Sequence, residues 1–305
     1  MQDVGTLCKT VHMKVPSLYT TEQRGRRRKF DIRGVEYSVT EWGKSSSPLF
    51  VYLHGWADTG ATFQFVVDAL NTDWHIVAPD WRGFGRSTVE STSYWFPDYL
   101  ADLHELLAIF SPDQPARIVG HSMGANIAGL YAGAMPERVR AFVNIEGFGL
   151  VDSDPADAPM RYRQWIEAAQ SVPAFTRYAD FQALAGRIAQ RNPHMSAAQA
   201  EFVAREWSTA REDGQVELRA DPRHKLPNPV LYRRAEAEAC WKAIKADVLL
   251  VTGGASDLAS HFGSIGGASC PGDQTLVIDG AGHMLHFEAP AELATVIETF
   301  LSKYL

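Results

Sequence analysis

Ser122 lies in the stretch ARIVGHSMGANIAGLYA, where Gly120, Ser122 and Gly124 form a G-x-S-x-G pattern between a strand-like and a helix-like run. Small residues two before and two after a serine leave room for a sharp strand-to-helix turn, which exposes the hydroxyl above a sheet edge. The Met123 amide, at the start of the helix-like run, can stabilise negative charge on a reacting carbonyl oxygen. A serine hydroxyl needs a base to become a nucleophile. His283, in VIDGAGHMLHFEAP and preceded by Gly280 and Gly282, fits that role. Nearby His286 suits a packing or hydrogen-bonding role, and His121, beside the serine, is expected to point away and to serve as a packed or capping histidine. A carboxylate must then fix the imidazole tautomer. Asp257, which follows VLLVTGG, gives the chain order Ser, Asp, His and is preferred; Glu146, at the end of FVNIEG, is the alternative. The Trp56 amide of His54-Gly55-Trp56 is the candidate second oxyanion donor.

These residues need a scaffold that brings loops from both ends of the chain to one edge. The runs GVEYSVTEW, PLFVYLHG, WHIVAPD, ARIVGHS and VRAFVNIEG alternate with helix-like segments, as in a mostly parallel sheet flanked by helices. From about 150 to 245 the text turns Ala-, Arg- and Gln-rich, with amphipathic stretches and no convincing strand. Strand-like text resumes at ADVLLVTGG and QTLVIDG. Residues 1–149 and 246–305 are therefore expected to form one core, and 150–245 a helical cap.

The chain has 305 residues, with 29 Lys+Arg against 36 Asp+Glu and a net charge of −7, which disfavours nucleic acid as a partner. With 46% hydrophobic and 21% charged residues it has the composition of a globular protein. Cys8, Cys240 and Cys270 are far apart and form no CxxC pair, so no disulfide framework or thiolate metal site is expected. Neither a metal nor a cofactor is expected. The N-terminus lacks an apolar targeting core and no stretch is long enough to span a membrane, so a cytoplasmic protein without membrane contact is expected. The run Arg24–Lys29 reads as a solvated face on an N-terminal arm preceding the first strand. The stretch DWRGFGRS lacks the glycine and lysine pattern of a phosphate loop and reads as a rigid turn.

In order and across nearly the whole chain, HGW, DWRGFGRS, GHSMG, the aspartate after VLLVTGG and GAGHMLHFEAP resemble the α/β-hydrolase superfamily. The resemblance implies an eight-stranded, mostly parallel sheet with a helical cap inserted after the sixth strand. Within that superfamily the chain looks like the capped, cofactor-free serine hydrolases, carboxylesterases and carbon–carbon bond hydrolases among them. Haloalkane dehalogenases and epoxide hydrolases of this fold use Asp at the nucleophile position, so Ser122 argues against both. DPRHKLPNPVLYR is similar to a segment of the serine-hydrolase-like proteins. The expected activity is cleavage of a small-molecule carboxylic ester through an acyl-enzyme. The alternatives are a carbon–carbon bond hydrolase of a vinylogous diketone and a slow hydrolase-fold ligand receptor. His54, Gly55, Trp95, Phe148, Trp165 and Met284 are the candidate pocket residues. Oligomeric state is not legible.

Overall fold

A computed structural model describes residues 18–87, 91–171, 173–258 and 274–305. Cys8, Cys270 and the first 17 residues lie outside the described set. Eight strands form one sheet: β1 (Arg26–Ile32), β2 (Val35–Trp42), β3 (Leu49–Leu53), β4 (His75–Pro79), β5 (Ala116–His121), β6 (Val139–Ile145), β9 (Asp247–Gly253) and β10 (Gln274–Ile278). Their spatial order is β1-β2-β4-β3-β5-β6-β9-β10. The first two pairings are antiparallel and the remainder parallel. Parallel strands covered on both faces must be apolar nearly throughout; LFVYL and HIVAP bury almost every residue for this reason.

The run RGRRRK differs from expectation, because Arg26–Lys29 belong to edge strand β1 rather than to an arm before the sheet. Their side chains are nonetheless solvated, and Arg28 reaches Glu41. Charge on an edge strand discourages pairing with another chain, while the strand itself is made by cross-strand bonding to β2 and not by apolar periodicity. Arg33 and Gly34, both with positive φ, close the two-residue turn between these strands.

On one sheet face pack α1 (Gln64–Ala69) and the last helix, α9 (Pro290–Leu301), through Val66, Val67, Leu293 and Ile297. On the other lie α2 (Phe96–Phe110) and α3 (Met123–Ala134), through Leu103, Leu106, Ile127 and Tyr131. The short α8 (Leu285–Glu288) precedes the last helix.

Between β6 and β9 lies the inserted segment, with α4 (Ala158–Ala169), α5 (Phe181–Arg191), α6 (Ala197–Trp207), β7 (Ser208–Ala210), β8 (Val216–Leu218) and α7 (Arg234–Lys242). It is not all helical: β7 and β8 pair as a hairpin, too short to leave a period in the sequence. Its end also differs from the expected boundary at 245. Helix α7 packs on α3, and a Cβ at Gly133 would lie 2.0 Å from the Cys240 carbonyl oxygen, so the chain has rejoined the core by residue 234. Leu184, Ile188, Val203 and Ala204 of α5 and α6 bury against Phe65 and Phe287 of the core. By contrast, α4 buries no residue.

The DPRHK stretch docks on the DWRGFGRS turn. Gly85 N–H donates to the Arg219 carbonyl at 2.7 Å and Asp221 N–H to the Gly83 carbonyl at 2.8 Å. The His224 ring is stacked between Phe84 (3.8 Å) and Tyr94 (3.6 Å), and its burial, outweighing nearby Asp221, lowers its pKa to about 4. Among the described residues, no helix is long and apolar enough to cross a membrane.

Candidate active site

Ser122 stands between β5 and α3 with φ 51 and ψ −114, a conformation that L-residues avoid. The cost is held by tight packing: a Cβ at Gly124 would lie 2.2 Å from the Leu53 carbonyl oxygen, and one at Gly120 would lie 2.7 Å from Ala125 Cα. The two glycines of the pattern are thus sterically required. A Cβ on Gly55 would come 3.2 Å from Ser122 Cβ, so the loop bearing Trp56 lies directly against the serine. Met123 opens α3, where first-turn N–H groups have no partner within the helix.

His283 Nδ1 lies 3.0 Å from Glu146 Oε2. A carboxylate only accepts, so Nδ1 carries the proton and Nε2 keeps its lone pair. Glu146 follows β6, which pairs with the strand that carries Ser122, and it is fully buried with φ 56. Two features hold it there. The Asn144 side chain accepts from Gly147 N–H (2.8 Å) and donates to the Gly147 carbonyl (3.0 Å), stapling the turn. Gly253 N–H donates to Oε1 at 2.8 Å, and Ser256 Oγ to Oε2 at 2.6 Å. With His283 these supply three donors to one buried carboxylate, the compensation that its desolvation requires.

Asp257, the preferred acid on sequence grounds, is exposed, and no described hydrogen bond joins it to His283. Of the two acids, it is Glu146 and not Asp257 that the described structure joins to His283. Both acids follow strand ends that are neighbours in the sheet, but the left-handed turn after β6 sends Glu146 inward. Of the four described non-glycine residues with positive φ, Arg33 serves the hairpin, whereas Ala57, Ser122 and Glu146 all adjoin this site. Such strain persists where surrounding structure enforces it.

Beneath the site lies a buried layer in which His286 takes the hydrogen-bonding role expected of it, with a partner, Asp58, that the sequence did not disclose. His286 Nε2 lies 3.0 Å from Asp58 Oδ2, and both side chains are buried. Asp58 Oδ1 accepts from Thr59 N–H, Thr62 Oγ1 and, in the inserted segment, Trp207 Nε1. Burial alone would raise the Asp58 pKa, but the His286 hydrogen bond and charge hold it well below the usual carboxylate range. His121, expected to be a packed or capping histidine, is buried, and its Nε2 lies 2.9 Å from the His283 carbonyl oxygen. Asp58, His121 and His286 place one ligand-type atom each within 4.8 Å of one another, a set that could hold a metal ion. As found, Asp58 and His286 satisfy each other through a proton and the remaining Asp58 oxygen already accepts three donors. Asp58 carries no motif signal, and its partners are distant in sequence.

The other expected pocket residues divide. His54 is fully buried, with Nδ1 donating to the Gly55 carbonyl (2.7 Å) and Nε2 accepting from Trp81 N–H (2.8 Å), so it joins two loops and lines no pocket. Trp95 is 59% exposed ahead of α2, and faces solvent. Phe148 is buried with Leu250, as core. Trp56 is exposed, its ring 6.3 Å from Phe175 of the inserted segment. Trp165 and Met284 are half-buried, Met284 against the cluster that joins α5 and α6 to the core.

Residues 48–290 match the family model described as the alpha/beta hydrolase fold. A serine hydrolase-like protein of Danio rerio is 28% identical over 217 residues, 69% of this chain and 66% of that protein, so the chain spans about two thirds of this relative's length. The 2-(acetamidomethylene)succinate hydrolase of Mesorhizobium japonicum is 25% identical, with 90% and 94% of the two chains covered. Among solved structures, the thioesterase domain from the curacin biosynthetic pathway superposes with a TM-score of 0.79 at 25% identity, covering 90% of this chain and 99% of that one. With its sheet order, its strained serine and a family match over most of its length, the chain belongs to the α/β-hydrolase fold family.

Proposed function

We propose that the protein is a serine hydrolase that cleaves a small-molecule carboxylic ester or related acyl compound through Ser122, His283 and Glu146. The observation that carries this reading is the 3.0 Å contact between His283 Nδ1 and buried Glu146, on loops that flank the strained serine. The carboxylate fixes the tautomer that leaves Nε2 free to take the Ser122 proton. Ser122 Oγ attacks the carbonyl carbon, and the Trp56 and Met123 amides hold the oxyanion. His283 then gives the proton to the leaving group, which departs as an acyl-serine forms. Water activated by the same base releases the acid and restores the hydroxyl.

The inserted segment, anchored through α5 and α6, covers the catalytic edge as a cap and selects the substrate. A second reading, the same residues acting on a non-ester acyl or diketone substrate, draws support from the likeness to the 2-(acetamidomethylene)succinate hydrolase over nearly both chains. A panel of p-nitrophenyl esters, acylated amides and ring-cleavage diketones separates the two. In either case Ser122→Ala should remove turnover by about ten-thousandfold or more. Undiminished turnover by that variant would contradict the assignment.

A further inference from the structure

A catalytic histidine must be fixed in its backbone as well as its ring, because a displacement of about 1 Å can cost about a hundredfold in rate. Glu146 holds the His283 ring. The segment before His283 contains Gly280 with positive φ and Gly282, which do little to stiffen a loop. On that side Gly282 N–H donates to Glu288 and the Ala281 carbonyl accepts from Ala255 N–H, and after His283 the His286 side chain on α8 bonds Asp58. Among the described side chains, the one that bonds the His283 main chain itself is His121, which crosses from the nucleophile's own turn to the His283 carbonyl.

We propose that His121 is a positioning residue that ties the backbone of the catalytic base to the turn of the nucleophile, over the support of the Asp58–His286 pair. Ser122 and His283 lie far apart in sequence, yet the covalent neighbour of the first holds the main chain of the second. A carbonyl only accepts, so His121 Nε2 carries its proton. Its Nδ1 is buried without a hydrogen-bond partner, and a proton there would have no acceptor. The ring is 4.7 Å from that of His286 and 4.8 Å from that of His283. The tie is made by the Nε2–H of a buried ring.

The inference rests on His283 serving Ser122 as base, and the two can fail separately. The test measures the rate of fluorophosphonate labelling in the full chain, with thermal melting as a control for folding. His121→Gln extends an amide N–H to about the position of Nε2 and should label within about threefold of wild type. His121→Phe keeps the ring volume without a donor and should label about tenfold more slowly or worse, with kcat on an ester falling and KM little changed. Should His121→Phe fail to fold, His121→Asn, whose amide ends short of the carbonyl, takes its place with the same expectation. If the folded Phe or Asn variant labels as fast as the Gln variant and wild type, the positioning role is overturned and the triad stands. If wild type itself is not labelled, the triad reading falls, and this inference with it.

Discussion

The strands β6 and β9 run side by side, and each is followed by an acidic residue, yet the two turns treat their acids in opposite ways. After β6, a left-handed Glu146 is stapled in place by the Asn144 side chain and buried under three donors. After β9, the turn donates Gly253 N–H and Ser256 Oγ to that same Glu146 and leaves Asp257 in solvent. The β9 turn therefore supports an acid held by its neighbour. A carboxylate's place in chain order says little about its reach; the local backbone and the donors it meets decide.

That contrast can be broken or sharpened experimentally. The largest effect is expected for Glu146→Gln, which keeps the shape but removes the charge that stabilises the imidazolium, and should lower kcat about a thousandfold or more. Kinetics on any ester that the protein turns over would measure it. Next comes Gly147→Ala. A Cβ there would lie 2.5 Å from Ala125 Cβ and 2.6 Å from Asn144 Oδ1, and should cost about 2–3 kcal/mol in chemical denaturation. Ser256→Ala removes one of the Glu146 donors and should cost about 1–2 kcal/mol of transition-state stabilisation, roughly a five- to thirtyfold fall in kcat/KM.

A smaller effect tests the docking of the inserted segment. His224 titrates at about 4 in the fold against about 6.5 unfolded. The unfolded chain thus binds the proton more readily, and the stability His224 contributes is present above pH 6.5 and lost as pH falls towards 4. Allowing for its partial exposure, about 1 kcal/mol should disappear between pH 7 and 5. His224→Phe, which preserves the stack, should melt with a shallower pH dependence over that window. Buried His54 and His121, both lowered chiefly by burial, add slope of the same sign. The smallest effect belongs to Asp257→Asn, with kcat/KM within about twofold of wild type, as for an exposed side chain outside the site.

Much of this was legible in the sequence because it depends on local spacing. The alternation of apolar runs and amphipathic stretches marked the parallel strands and the inserted segment, and G-x-S-x-G marked the strained turn with the glycines it needs. Strand β1 was not legible because five of its seven residues are charged and exposed, leaving no apolar alternation, and its identity comes from pairing with β2. The hairpin β7–β8 was too short to show a period. Which of the two acids meets His283 was hidden for a different reason. The stretches NIEG and GGASD each place a carboxylate after an apolar strand, and only the staple between Asn144 and Gly147 decides which one turns inward. Asp58 was missed, and the partner of His121 was not foreseen, because both depend on groups brought together by the whole fold. The difference between α4, which buries nothing, and the anchored α5 and α6 was equally hidden, since all three are amphipathic.

The most direct test of the pairing is the proton between His283 and its acid. With nitrogen-15-labelled histidine, the His283 Nδ1–H resonance should stand far downfield in wild type and in Asp257→Asn, and lose that position in Glu146→Gln. A resonance that survives Glu146→Gln and disappears in Asp257→Asn would contradict the account.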